Sequence, residues 1–311
     1  MSAVMTVNYD PQALHDGLVR HGHIFPVGVK GAFGRGPVFE DIVDRFDELV
    51  SWIARDDGAE KRTYPPVVNR QVIEKNNYLE SFPHLCGAVF SFHGKELAAR
   101  EMAEKARNGQ PWSEHLGITD LCMTPAICYP LYPTLAGDLP KGGRLFSLLG
   151  WAFRHEPSDE PTRLQSFRMR EFIRAGSADD VVAWRDMWLE RGLTLLRELG
   201  LEANSDVATD PFFGRGGKMM AQNQKDQRLK FEVLIPVISR ENPTACCSFN
   251  FHQDHFGSKW GIRQADGSVA NTACLGFGME RIVMALFNTH GFDVARWPAS
   301  VRERLWPKAA R

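Results

Sequence analysis

Between residues 231 and 287 the chain passes through three strand-like runs, FEVLIPV, TACCSFNF and VANTACLGF, before it reaches MERIVMALF, whose apolar residues fall at helical spacing. Strands dominate this half, and their succession lacks the βαβ rhythm that builds a parallel sheet. The clearest helix precedes them. Ser177 can cap free backbone N–H groups and Asp180 supplies the reciprocal carboxylate, so the spacing predicts a helix from Ser177 to near Gly200. Val181, Trp184, Trp188, Leu195 and Leu199 line one face of it, with Gly192 a weak spot in the stripe. Earlier, Ile42, Val43, Phe46, Leu49, Val50 and Ile53 predict an amphipathic helix after a glycine-containing entry. Pro65 and Pro66 then break the chain ahead of VVNRQVIEKNNYLESFPHL, which begins extended and turns helical. No repeat or interdomain linker interrupts the 311 residues, so one large domain is expected.

Charge narrows the partners. With 37 Lys and Arg against 38 Asp and Glu the net charge is -1, which supplies no general basic field for a long polyanion. The six cysteines (Cys86, Cys122, Cys128, Cys246, Cys247, Cys274) show no CxxC pairing, and no secretory leader is apparent, so a cytoplasmic location with free or metal-bound thiols is expected. No run approaches the roughly 18 consecutive apolar residues of a membrane span.

Two segments carry candidate chemistry. FRHEPSDEPTRLQSFRMREF, from Phe153 to Phe172, places Arg154 and Glu156 two apart on one face of an expected strand and returns through a polar loop. Such a hairpin can grip a nucleotide: a cation meets charge developing on the α-phosphate, and a carboxylate accepts from the adenine amine. CLGFGMERIVMAL places Gly276 and Gly278 ahead of a helix that opens with Glu280 and Arg281. Glycines let backbone approach a ligand, and a guanidinium can cover a base and reach phosphate oxygens. The rival phosphate motifs fail. FFGRGGKM has Phe212 where a P-loop needs glycine and Met219 where it needs Ser or Thr, and GVKGAFGRG lacks GxGxxG spacing.

FRHE…REF is similar to motif 2 of the class II aminoacyl-tRNA synthetases, GFGMERIVMAL to their motif 3, and YPPVVNRQVIEKNNYLESFP to the more variable motif 1, which in the family forms the dimer interface. The resemblance runs from about Pro65 to Leu286. It implies an α+β chain with the class II catalytic fold, an antiparallel β-sheet flanked by helices, over residues 61–311, with residues 1–60 as an N-terminal extension packed on it. It also implies that Arg154 contacts the α-phosphate, Glu156 reads the adenine amine, Phe172 stacks beneath the base and Arg281 covers it from above. Glu232 in KFEV matches a carboxylate that binds ATP-bound Mg2+, although Thr244 and Ala245 stand where the seryl enzymes usually have a second acidic residue. Ser248 and Asn250 resemble polar groups of the amino-acid pocket.

Cys128, Glu171 and Cys274 are too far apart for spacing to nominate them. They resemble the Cys-Glu-Cys zinc set of the atypical archaeal seryl-tRNA synthetases and of the bacterial amino acid:[carrier protein] ligases, where an open fourth position takes the substrate amine. HQDH, with His252, Asp254 and His255, is the rival metal candidate and reads better as pocket wall or hydrogen-bonded support. No charged heptads suggest a tRNA-gripping coiled coil, so tRNA is not expected. NNYLESFPHL, DPFFGRGGK, CCSFNFHQDHFG and NTACLGFGMERIVMALF most closely resemble the amino acid:[carrier protein] ligases. That likeness implies ATP-dependent activation of a small amino acid, glycine or alanine, and its transfer to the phosphopantetheine thiol of a carrier protein by a homodimer. The alternatives are a minimal seryl-like tRNA synthetase or a catalytically idle regulatory paralogue. The Lys218–Lys230 region is the candidate basic patch for an acidic carrier.

Overall fold

The computed structural model describes residues 9–308. Its frame is a seven-stranded sheet of β1 (Glu60–Arg62), β2 (Arg144–Phe153), β3 (Ser166–Gly176), β4 (Asn204–Val207), β5 (Lys230–Ile235), β6 (Thr244–Phe251) and β7 (Asn271–Gly278), in the order β4-β5-β6-β7-β3-β2-β1. Every neighbouring pair is antiparallel except β1 with β2. The helices used below are α1 (Pro11–Arg20), α2 (Pro37–Ile53), α3 (Glu96–Arg107), α4 (Ala178–Glu198), α5 (Gly214–Asp226) and α6 (Met279–His290). Among the described residues no helix is long and apolar enough to cross a membrane.

Side chains alternate across a strand, so directly paired residues in this sheet share a face. On the back face lie Phe172, Phe231, Val233, Cys247, Phe249, Leu275 and Phe277, all buried in the largest apolar cluster with α2, α4 and α6. The stripe on α4 docks there: Val181, Trp184, Trp188 and Leu195 are buried, and Trp188 stacks on Phe172 at 5.0 Å between ring centroids. Each such side chain contributes roughly 1.5–3 kcal/mol by leaving water. The Ser177 hydroxyl accepts from the Asp180 N–H at 3.2 Å, and Gly200 adopts φ +75 just past the helix. Gly192 is not a weakness. A Cβ on it would stand 2.9 Å from the Phe249 ring, so its bareness lets α4 approach the sheet.

The chain has no structural break at residue 60. Leu14, Leu18, Phe39, Ile42 and Phe46 of α1 and α2 belong to the same cluster as α6, and β1 straddles the expected boundary. The outer ends of the two expected spans, residues 1–8 and 309–311, lie outside the described residues. A smaller antiparallel sheet, Val67–Asn69, Leu116–Met123 and Ala88–Phe92, packs with the short helices beside it through its own cluster of Val68, Val72, Ile73, Tyr78, Leu85 and Cys122.

Candidate active site

The front face of the large sheet carries a run of polar residues on its central strands, opposite the apolar cluster behind them. One cross-strand row reads Glu232, Ser248, Gly276, Glu171 and Leu148, and the next reads Lys230, Asn250, Cys274, Ile173 and Phe146. Strands separated by ~4.8 Å thus bring residues more than a hundred positions apart onto one floor. Gly276 keeps that floor low, since a Cβ there would stand 3.4 Å from both Glu171 Cγ and Met169 Cε.

Arg154 and Glu156 lie in the loop after β2, which ends at Phe153, not on a strand face as expected. Pro157 and the polar PSDEP stretch cannot continue a ladder, and pairing stops after the Arg154 N–H donates to Gln165 O at 2.9 Å. The Arg154 guanidinium donates from Nε to Pro125 O at 3.1 Å and lies 5.5 Å over the Phe167 ring. Glu156 accepts from Arg163 at 2.9 Å. Arg281, in the first turn of α6, donates from Nε to Thr162 O and from Nη1 to Ala245 O, each at 2.8 Å, tying the hairpin loop to β6. Its neighbour Glu280 is 1% exposed and accepts from Arg168 Nε at 2.9 Å and from the Arg168 N–H at 2.8 Å, which fixes the start of α6 against β3.

The expected stacking role of Phe172 does not survive the register. Phe172 follows Glu171 on β3 and so points to the opposite face, where it is 1% exposed against Trp188. The aromatic ring on the Glu171 side of β3 beneath Arg154 is Phe167, which sits four residues before Glu171 and therefore shares its face. Counting by twos from Glu171 would have found it in the sequence.

Cys128, Glu171 and Cys274 are brought together and are all nearly inaccessible to water. The hydrogen bond with Cys128 holds the Cys274 thiol well below its usual range, and the same contact, with burial, pushes the Cys128 thiol up. Burial, then the neighbouring Cys274 charge, raises the Glu171 carboxyl well above the carboxylate range, and its Oε2 has no hydrogen-bond partner. Asn250 donates to Cys274 Sγ at 3.3 Å, and His252 Nε2 lies 3.4 Å from the same sulfur while its Nδ1 meets Thr272 Oγ1 at 3.0 Å. His252 is therefore hydrogen-bonded support for a thiol. Among the described residues no group of three or more His, Cys, Asp and Glu side chains is arranged so that it could hold a metal ion. In donor chemistry, paired thiols beside a carboxylate with an orphaned oxygen fit a thiophilic divalent ion.

Glu232 is ion-paired: its Oε1 lies 2.9 Å from Lys230 Nζ, which also donates to Asp210 Oδ1 at 2.7 Å. Burial alone would lower the ammonium pKa and raise that of Asp210, but the pairing outweighs it in both, holding Lys230 above and Asp210 below its ordinary value. Lys230 thus belongs to the floor and not to a surface patch. Lys218 and Lys225 are the exposed lysines of α5. Sequence reading missed Asp210 and Lys230 as site residues, because nothing in DPFFGRGGK or KFEV signals that the two meet.

No profile of a known protein family matches the chain. It is 47% identical over 281 residues to amino acid–[acyl-carrier-protein] ligase 1 of Bradyrhizobium diazoefficiens and 48% identical over 281 residues to ligase 2 of that organism. Each comparison covers 90% of this chain, with 86% and 84% of the respective relatives. A type-2 serine–tRNA ligase of Methanopyrus kandleri is 26% identical over 285 residues, 83% of this chain and 53% of that protein. Among solved structures, the M. kandleri seryl-tRNA synthetase in complex with A. aeolicus tRNASec aligns with a TM-score of 0.79 at 21% identity, over 94% of this chain and 60% of that one. Seryl-tRNA synthetase from Pyrococcus horikoshii, complexed with ATP, aligns at 0.66 with 15% identity, over 94% and 62%. The chain thus spans about 60% of the length of these synthetases and has their class II catalytic fold. With nearly half its residues identical over nine-tenths of its length, the chain belongs to the amino acid–[acyl-carrier-protein] ligases.

Proposed function

We propose that the chain activates glycine or alanine with ATP as an aminoacyl-adenylate and passes the aminoacyl group to the phosphopantetheine thiol of a carrier protein. Family membership supports the acceptor. The observation that carries the chemistry is the convergence of Arg154 and Arg281 at the rim of a floor formed by Glu171, Cys274, Asn250 and Ser248. The substrate carboxylate attacks the α-phosphorus of ATP and pyrophosphate leaves. The carrier thiol then attacks the adenylate carbonyl, loses its proton and expels AMP. Arg154 and Arg281, pre-set by backbone carbonyls, oppose the charge that builds on the phosphate, so positioning and electrostatics suffice without a protein nucleophile. Phe167 supports the base, Glu156 accepts from its amine, and Ser248 and Asn250 bound the amino-acid pocket.

Cys128, Glu171 and Cys274 would hold one zinc ion, which supplies a Lewis-acid seat for a free amine. Glu232 would bear on Mg2+ carried by ATP. Phe90, Ile118 and Leu121 are 55%, 48% and 41% exposed on the small sheet that holds part of the motif 1-like segment, which favours burial in a homodimer. Lys218 and Lys225 are our candidates for the carrier's landing point, the location is cytoplasmic, and tRNA is not an acceptor.

The test gives the purified chain ATP and labelled glycine or alanine with three acceptors: carrier bearing phosphopantetheine, carrier without it, and total tRNA. Label on the modified carrier alone is expected. Label on tRNA would replace the reading with a minimal synthetase, and no label together with no pyrophosphate exchange would indicate an idle paralogue. In parallel, Cys274→Ala is expected to lose bound zinc by elemental analysis and to lose pyrophosphate exchange. Wild-type exchange by the zinc-free variant would remove the metal from the reading.

A further inference from the structure

The front face carries a buried positive charge that none of these steps uses. Lys230 opens β5, pairs across the sheet with Asn250 and is 7% exposed. Its ammonium reaches Asp210 Oδ1 at 2.7 Å and Glu232 Oε1 at 2.9 Å. Asp210 is itself held twice by Gln224 of α5: its N–H donates to Gln224 Oε1 at 2.7 Å, and Gln224 Nε2 donates to its Oδ2 at 2.8 Å. An enclosed ammonium is costly unless paired, and the same holds for two carboxylates on one floor. One cation against two anions leaves the triad with a single net negative charge.

The triad lies beside the two arginines of the rim. Glu232 is two residues from Leu234, which pairs with Ala245, and the carbonyl of Ala245 anchors Arg281. Asp210 feels the charge of Arg154 as well as that of Lys230. We infer that Lys230 is a positioning residue that sets the charge of the nucleotide pocket: by offsetting Asp210 and holding Glu232, it lets a nucleoside triphosphate enter a cleft whose floor would otherwise repel it. This rests on the ATP-dependent reading above. One unit charge removed at a range of ~8 Å, in partly screened surroundings, weakens binding of a multiply charged anion by about ten-fold or more. A zwitterionic amino acid has no net charge, so its KM responds far less.

The experiment measures pyrophosphate exchange with the KM for ATP and for the amino acid determined separately, in wild type, Lys230→Met, Asp210→Asn and the double variant of both. Lys230→Met should raise the ATP KM about ten-fold and move the amino-acid KM by less than about two-fold. The double variant returns the triad to one net negative charge and should bring the ATP KM back to within about three-fold of wild type. An unchanged ATP KM in Lys230→Met, or an equal rise in single and double variants, would overturn the inference by showing that charge is not what Lys230 contributes. Should Lys230→Met fail to fold, Asp210→Asn decides: it makes the triad neutral, so its ATP KM must not rise, and a rise refutes the proposal. Exchange absent from wild type itself, with every amino acid tried, would instead remove the ATP reading on which this depends.

Discussion

The two faces of the seven-stranded sheet are built from the same strands and differ in what burial demands of them. On the back, Phe172, Phe249, Leu275 and Phe277 meet α4 and α6 and contribute through packing, and the buried charge beside them, Arg170, is ion-paired with Asp47 at 2.8 Å. On the front, within a few ångströms, Glu171, Lys230 and Cys274 are equally removed from water but chargeable. Each needs a named partner: Lys230 has Asp210 and Glu232, Cys274 has Cys128, Asn250 and His252, and one oxygen of Glu171 has none. A face that spends interactions on compensating charge stabilises the fold little and is poised to act on a ligand. Stability should therefore reside behind the sheet and activity in front, separable by substitution.

The largest effect should come from the front rim. Arg281→Ala should lower kcat/KM for ATP in pyrophosphate exchange by about a thousand-fold, or about 4 kcal/mol. Its urea midpoint should barely move, because Glu280 and Arg168 still hold the start of α6. A large loss of stability in that variant would break the division between faces. Next, the two phenylalanines of β3 should behave oppositely. Phe172→Ala should cost about 3–5 kcal/mol in denaturant unfolding while the folded fraction keeps its ATP KM. Phe167→Leu should raise the ATP KM about ten-fold, the scale of one base-stacking contact, with little change in unfolding. If Phe172 moves the KM and Phe167 does not, the register argument fails. The smallest effect should lie outside both faces: Lys218→Glu with Lys225→Glu should raise the KM for the carrier a few-fold, more at low salt, and leave exchange alone. Unchanged transfer would take α5 out of carrier docking.

Periodicity made α4 legible to within its caps, because its stripe, Ser177 and Gly200 are local signals. The absence of βαβ rhythm likewise pointed to an antiparallel sheet, and the ordered pair FRHE…REF and GFGMER pointed to a hairpin and a helix, which Arg281 ties together through Thr162 O. Gly192 was misread for want of a partner: a gap in a helical stripe is a flaw until Phe249 is seen filling it. The strand assignment of Arg154 and Glu156 failed at the point where Pro157 ends the ladder.

What the sequence determined by itself is the inventory and the periods: which segments are strands, which are helices, and that arginines, six cysteines and many carboxylates were available for chemistry. Only the tertiary structure decided which of them share a face. A shift of one residue turns a strand side chain through the sheet, so Phe167 and Phe172 exchange roles on parity. The meeting of Lys230 with Asp210, and of Cys128 with Cys274, depends on strand order and loop closure, which pairings between distant segments create and no local pattern encodes.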